Sequence, residues 1–172
     1  MSSIIQDFAL SRDINARERA ILASNRHVAQ GWTIAATYAR MVSNAFAYLT
    51  DDMEASMYLG RTDALRHCLW AALLTHQVGE HYAQKLTDAH EREGEITEHR
   101  ARLDREMDLH NNRVGIRLGK FHSSQRSAIT QSMTAFFLFG VCKSALDNGE
   151  LKVIDRLRDP WRLVPSNTPG IP

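Results

Sequence analysis

Proline is absent from residues 1–159 of this 172-residue sequence, because all four prolines lie at or beyond Pro160. Strand signals are scarce as well, since no alternating run of β-branched or aromatic residues stands between turn residues. Proline is the residue that most strongly interrupts a helix, so nothing in residues 1–159 forbids long helices. The sequence therefore predicts an all-α fold: a single compact multi-helix bundle over residues 1–158, followed by an extended, proline-containing tail over residues 159–172.

Cysteines and long apolar runs are also few. Cys68 and Cys142 are too few for a disulfide framework, which fits synthesis in a reducing compartment. No apolar run reaches the ~18–20 residues that a membrane-spanning helix needs. The N-terminus lacks the basic and apolar segments of a secretory signal peptide. We therefore expect no transmembrane segment, synthesis in the cytoplasm, and exit from the cell only through a dedicated secretion system.

An excess of charge of either sign is missing too. The chain has 21 Lys and Arg against 20 Asp and Glu, for a net charge of +1. A protein that neutralises many phosphates usually shows a basic excess or a basic stripe, so nucleic acid is the less favoured partner. A local basic patch stays open as an alternative, formed by Arg100, Arg102, Arg105, Arg113 and Arg117.

Apolar residues recur at helical spacing through most of the chain. The expected helices run from about Asp13 to Asn25, His27 to Leu49, Thr62 to Val78, Glu80 to Glu93, Glu98 to Leu118, Ser124 to Leu146 and Glu150 to Arg158. Asp13 or Asn15 is the expected cap of the first helix. The helix from Ser124 is the most apolar, and we expect its Phe136 and Phe137 in the core. A partner-binding surface and a membrane-active segment are the alternatives for that helix.

Histidine is concentrated in the middle of the chain, where seven of the eight histidines fall between residues 61 and 122. Within this interval, Asp63, Arg66, His67 and Trp70 share one face of a predicted helix. A carboxylate four residues before a histidine can orient its ring and stabilise its charged form. The segment is therefore a candidate catalytic face, with a salt-bridged structural face as the alternative.

A second candidate face lies on the helix from Glu98. Asp108, Asn111 and Asn112 stand at positions i, i+3 and i+4. Asparagine is costly in the middle of a helix unless its side chain bonds to something. The carboxylate and amide oxygens could ligate a hard cation or hold hydroxyl or phosphoryl groups of a substrate, and a buried amide network is the alternative. Gly115, with Gly119 four residues later, indicates close helix packing.

Between these faces lie His90 and Glu91. Glu91 is a candidate general acid or base, and His90 a candidate ligand or partner to it. Adjacent residues point about 100° apart on a helix, so a solvated role is the alternative for this pair. The His-Glu-x-x-His zinc signature, serine-nucleophile motifs and glycine-rich phosphate loops are all missing.

Three stretches carry a resemblance to a family of small helical bacterial domains. They read Asp63-Ala64-Leu65-Arg66-His67-Cys68-Leu69-Trp70, His90-Glu91 and Met107-Asp108-Leu109-His110-Asn111-Asn112-Arg113-Val114-Gly115. Domains of this kind look like C-terminal modules of polymorphic or secretion-system-delivered toxins. The resemblance covers roughly residues 60–150 and implies a secreted, effector-like domain with a cognate immunity protein and a secretion machinery as partners. It does not specify a reaction.

The resulting hypothesis is an antibacterial effector that acts as a hydrolase on an envelope component or a nucleic acid. Water would be activated by a bound divalent metal ion or by the His67/Glu91 pair. The expected catalytic residues are His67, Asp63, His90, Glu91 and Asp108. The expected substrate-binding residues are Arg66, Trp70, Asn111 and Asn112, and the candidate metal ligands are Asp108, His90 and Asn111. A non-catalytic binding or adaptor domain and a membrane-active toxin are the alternatives.

Overall fold

A computed structural model of the chain describes residues 14–50, 58–91, 98–124 and 131–171. Its helices are α1 (Ala16–Ser24), α2 (Arg26–Leu49), α3 (Arg61–Val78), α4 (Glu80–His90), α5 (His99–Ser124) and α6 (Gln131–Asp147). Two short strands follow, β1 (Lys152–Asp155) and β2 (Arg162–Pro165). The predicted all-α bundle is therefore confirmed, with a small two-stranded sheet added at its C-terminal end.

Helix α3 is the centre of the bundle, because α2, α4, α5 and α6 all pack against it. Its alanines and leucines from Ala64 to Leu74 are buried on every side. A helix that is apolar all round is stable only when other elements surround it. Among the helices that the structure describes, α3 is thus the natural place for side chains that need to be shielded from water.

Helix α5 lies closer to α3 than most side chains would permit. A Cβ added at Gly115 would stand 2.1 Å from the carbonyl oxygen of Cys68, and one at Gly119 would stand 2.5 Å from that of Ala72. The close packing that this glycine pair predicts is therefore confirmed. Because later residues of α5 meet later residues of α3, the two helices run in the same direction, which brings Asp108 opposite the first turns of α3.

Helix α1 begins after the predicted cap residue Asn15. Its side-chain oxygen accepts hydrogen bonds from the backbone N–H groups of Arg17 and Glu18, and a Glu18 carboxylate oxygen accepts from the Asn15 N–H. This is a capping box, which satisfies donors that the start of a helix leaves free. The other candidate cap, Asp13, lies outside the described residues.

The helix expected from Glu150 to Arg158 is wrong, because this segment contains strand β1 instead. Helix α6 ends before Gly149, whose φ of 76° suits glycine. Val153 and Ile154 are β-branched and fully buried, and they pair antiparallel with Val164 and Leu163 of β2. The tail is extended as predicted, and its strand β2 completes the sheet.

Two further helix predictions need correction. Helix α5 continues to Ser124 rather than ending near Leu118, so Ser124 closes α5 instead of opening the next helix. On α6, Phe136 and Phe137 are 79% and 49% exposed, whereas Leu138, Cys142 and Leu146 form the buried face. The expectation that both phenylalanines lie in the core is therefore wrong. None of the described helices is both long enough and apolar enough to cross a membrane.

Candidate functional site

Asp63 lies in the first turn of α3 and is almost completely buried. One of its oxygens accepts a hydrogen bond of 2.7 Å from the backbone N–H of Leu59, and the other accepts from the Arg66 guanidinium. Burial raises the pKa of Asp63, and the charge of Arg66 and the Leu59 hydrogen bond oppose that rise. The carboxylate is held in place by two donors, yet its charge is poorly solvated.

His67 lies one turn further along α3 and is also buried. Its Nε2 stands 3.5 Å from Asp63 Oδ1 and 3.4 Å from Asp108 Oδ1, while its Nδ1 stands 3.7 Å from Glu91 Oε1. Burial and the positive charge of Arg66 hold the pKa of His67 well below its usual range. The ring is therefore neutral near pH 7, which leaves a nitrogen lone pair available to accept a proton or bind a metal.

Asp108 reaches the same place from α5. Its Oδ1 is buried and has no hydrogen-bond partner among the described residues. Burial raises the pKa of Asp108 well above its usual range, and the carboxyl groups of Glu91, Asp63 and Asp104 raise it further. A buried carboxylate oxygen without a donor is costly, so this atom needs a proton or a cation.

One ligand atom from each of Asp63, His67 and Asp108 lies within 4.8 Å of the other two. Ligand atoms about 2.1 Å from a tetrahedral cation lie about 3.4 Å from one another. The two distances from His67 Nε2, 3.5 and 3.4 Å, agree with that spacing. Two of the three spacings thus match those around a bound cation, which makes these three side chains a candidate site for a divalent ion.

Glu91 stands at the C-terminal end of α4, on the other side of the His67 ring. Its Oε1 accepts a hydrogen bond of 3.2 Å from the side-chain amide of Asn112. Burial raises the pKa of Glu91 to about 7, although His90 and Asn112 both work in the opposite direction. A carboxyl group that titrates near neutral pH can take up and release protons under physiological conditions.

His90 pairs with a buried carboxylate that sequence patterns did not indicate. Its Nδ1 lies 3.1 Å from Oε2 of Glu18, the fully buried capping-box residue of α1. Burial lowers the pKa of His90, but the negative charges of Glu18 and Glu91 outweigh burial, so the net shift is upward. The ring centroids of His67 and His90 lie 6.4 Å apart, yet the two pKa values shift in opposite directions. His67 is neutral, whereas His90 favours its charged form.

Two predicted substrate-binding residues lie at the edge of the cluster formed by Asp63, His67, His90, Glu91 and Asp108. The Arg66 side chain is 40% exposed and reaches Asp63, and its Nη2 also lies 3.2 Å from Nε2 of His67. Trp70 is buried, and its ring forms a T-shaped contact with that of His90 at a centroid distance of 5.1 Å. The indole contributes a wall to the site, and Arg66 is the cluster residue that extends furthest towards solvent.

Asn111, a predicted substrate or metal residue, is placed away from the cluster. Its side-chain amide donates to the carbonyl oxygen of Lys152 at 3.0 Å, and its oxygen accepts from the Lys152 N–H at 2.8 Å. It therefore fastens β1 to α5 through both ends of its amide. Asn112, the next residue, points into the cluster instead, towards Glu91 and His67.

Three residues near the site were not predicted from the sequence: Glu18, Asp104 and Tyr58. Asp104 lies one turn before Asp108 on α5, and its carboxylate accepts a hydrogen bond of 3.4 Å from the Tyr58 hydroxyl. Burial raises the pKa of Asp104 and of Tyr58. The i, i+4 spacing of Asp104 and Asp108 could have indicated that both side chains lie on one face of the helix. The Asn15-x-x-Glu18 capping box was another, although it indicates a helix start and not a site.

The chain belongs to the protein family described as "Domain of unknown function (DUF6973)", whose model matches residues 25–143. This range includes the residues that form the cluster on α3, α4 and α5, but it excludes Glu18 and the C-terminal sheet. No solved structure matches the chain. Because the family description assigns no function, the toxin-module resemblance stays a prediction.

Proposed function

We propose that this protein is a metal-dependent hydrolase in which Asp63, His67 and Asp108 hold a divalent cation. The observation that carries the proposal is the convergence of these three buried ligand atoms within 4.8 Å of one another. Helical bundles build metal and catalytic sites from inward-facing side chains of neighbouring helices. The arrangement on α3 and α5 has that form.

Incomplete hydrogen bonding in the cluster also supports a bound cation, because a positive charge could take the place of an absent donor. Asp108 Oδ1 is buried and has no hydrogen-bond partner among the described residues. A sealed structural network would satisfy such an atom, because leaving it unpaired costs about 1–3 kcal/mol. A cation bound by Asp108 and a water molecule beside it would satisfy this group better than the protein does by itself.

The donor set favours a transition metal. Two carboxylates and one imidazole suit zinc, manganese, iron or cobalt, whereas magnesium and calcium prefer oxygen ligands alone. With three protein ligands, a tetrahedral ion keeps one position open, which is the arrangement of catalytic zinc sites. A metal at this place would supply Lewis-acid activation of water.

Glu91 is the residue that we assign to position His67. Its Oε1 stands 3.7 Å from Nδ1 of His67, whereas the atom that would bind the cation is Nε2, on the opposite side of the ring. A carboxylate in this position fixes the ring and raises its basicity as a ligand. His90, held by Glu18, is the residue that we assign as proton donor for the leaving group, because its environment favours the protonated ring.

Metal binding is tested by titrating the full chain with Co²⁺, Zn²⁺ and Mn²⁺ after chelator treatment. Visible absorption reports Co²⁺ coordination, and calorimetry reports the affinity and a stoichiometry of one. We expect His67→Ala and Asp108→Asn each to weaken binding by at least about 100-fold. His76→Ala is the matched control, since His76 stands nine residues further along α3, about 13.5 Å from His67. If the wild-type protein binds none of the three ions, the metal-dependent function is excluded, and the cluster is a structural network of a binding or adaptor domain.

The effector role is a separate part of the proposal and is supported by the resemblance of the three motifs to toxin modules. It is tested by expressing the chain in the bacterial cytosol and, with an added signal peptide, in the periplasm. Growth arrest by the wild type but not by His67→Ala or Asp108→Ala would support a toxic enzyme and identify the compartment of its substrate. If neither wild-type form affects growth, the effector role is excluded.

A further inference from the structure

The guanidinium of Arg66 lies where the proposed cation has to bind. Its Nη2 donates to Asp63 Oδ1 and stands 3.2 Å from His67 Nε2. These are two of the three atoms that we assign as metal ligands. A guanidinium and a divalent cation cannot both contact the same two atoms, because their positive charges repel and the space is shared.

We propose that Arg66 is a built-in counter-cation, which holds the ligands in the metal-free protein and swings out when a divalent cation binds. The inference rests on the proposed function and adds a competition between a side chain and the metal.

Arg66 is an incomplete substitute for a metal. It satisfies Asp63, but the third ligand, Asp108, keeps a buried Oδ1 without a hydrogen-bond partner among the described residues. Burial and neighbouring carboxyl groups also disfavour the charge of Asp108 despite the nearby guanidinium. A divalent cation placed between all three ligand atoms would also neutralise the negative charge of Asp108, which the single charge of Arg66 does not.

The exposure of the three side chains shows which one can move. The side chain of Arg66 is 40% exposed, whereas those of Asp63 and His67 are 2% and 8% exposed. Departure of Arg66 into solvent therefore leaves the buried ligands in place. A second donor, the Leu59 N–H, continues to hold Asp63 when the guanidinium leaves.

The test measures the Co²⁺ dissociation constant of the full chain with and without this arginine. We expect Arg66→Gln to bind Co²⁺ at least about tenfold more tightly than the wild type, because it removes a positive charge close to the ion. The same variant should unfold at a lower temperature when metal-free, because Asp63 loses its counter-cation. Arg61→Gln removes an equal charge from the same helix and should change the dissociation constant less than about twofold, because Arg61 instead contacts Asp147 and Ser166.

Opposite effects on metal affinity and metal-free stability distinguish competition from a structural role. If Arg66→Gln binds Co²⁺ no more tightly than the wild type, the competition is wrong and the metal site stands. If neither protein binds Co²⁺, Zn²⁺ or Mn²⁺, the proposed function itself is wrong and the competition is excluded with it.

A measurement on the wild type covers the case in which Arg66→Gln does not fold. In ¹⁵N-detected spectra of arginine side chains, the Arg66 Nη resonances should be resolved without metal and should merge through free rotation when Zn²⁺ is added. Arg66 resonances that stay unchanged at saturating Zn²⁺ would overturn the exchange.

Discussion

The first and second halves of the α3–α5 pair belong to the same two helices but differ in chemistry. In the second half, Gly115 and Gly119 of α5 allow direct backbone contact with Cys68 and Ala72, and the surrounding side chains are apolar. In the first half, Asp108 faces Asp63 and His67, with raised carboxyl pKa values and a buried Asp108 oxygen that has no hydrogen-bond partner among the described residues. The apolar half stabilises the pair, and that stability allows the other half to keep groups that are costly to bury.

The largest expected effect breaks the apolar half. Gly115→Val would place atoms within the contact distance of the Cys68 carbonyl and force the helices apart. We expect a loss of about 3 kcal/mol or more in the free energy of unfolding, measured with urea. Gly140→Ala is the matched control, because a Cβ there meets nothing within 4 Å; it should leave stability unchanged or raise it by up to about 1 kcal/mol. Equal losses in the two variants would show that the close contact is not what stabilises the pair.

The next effect concerns Asp108 in the polar half. Asp108→Asn should weaken Co²⁺ binding by at least about 100-fold, because an anionic ligand is lost. The same change should raise the stability of the metal-free protein at pH 8 by about 1 kcal/mol, because it removes a charge that burial disfavours. A clear loss of metal-free stability would indicate that Asp108 serves the fold and not a site.

The pH dependence of stability sharpens the same comparison. Burial raises the pKa of Glu91 from 4.5 to about 7, so between these values the folded state holds a proton that the unfolded state has lost. The free energy of unfolding should therefore fall as pH rises from about 4.5 to 7, by about 3 kcal/mol from this group. Urea denaturation of metal-free protein at several pH values tests this expectation, and Glu91→Gln should flatten that part of the profile. A profile that is identical in wild type and variant contradicts the raised pKa.

The smallest effect separates two adjacent asparagines. Asn111→Ala should cost about 1–2 kcal/mol of stability, because both hydrogen bonds to the Lys152 backbone are lost, and should leave Co²⁺ affinity unchanged. Asn112→Ala should alter the metal-bound site through Glu91, which is visible as a change in the Co²⁺ absorption spectrum. If Asn111→Ala also changes that spectrum, the division of roles between the two asparagines is wrong.

Helix positions were predictable where apolar periodicity agreed with the positions of capping and helix-breaking residues. The predicted range from His27 to Leu49 differs by one residue from α2, and Gly79 separates α3 from α4 as expected. The helix predicted over residues 150–158 was wrong, because this segment is short and polar at both ends and carries little helical signal. Its strand conformation depends on antiparallel pairing with residues 162–165, which helical periodicity within residues 150–158 does not reveal.

For the candidate site, too, local patterns indicated which residues share a helix face but not which partners they contact. Asp63, His67 and Asp108 could be identified because helical spacing reveals which polar groups share a face. Spacing could not assign Asn111 and Asn112 to different partners, since that depends on which element packs on each side of α5. Glu18 was missed because its local signal is that of a helix cap, whereas its contact with His90 requires α1 to pack on α4.

By itself, the sequence determined the helical class of this protein and the segments that carry its polar chemistry, because helix periodicity and the absence of proline act within a few residues. Only the tertiary structure decided which of those groups meet. The parallel packing of α3 and α5, set by Gly115 and Gly119, brings Asp108 to His67, and burial there changes the pKa values that ordinary side chains would have. Proximity and desolvation are properties of the packed bundle, so no stretch of sequence contains them alone.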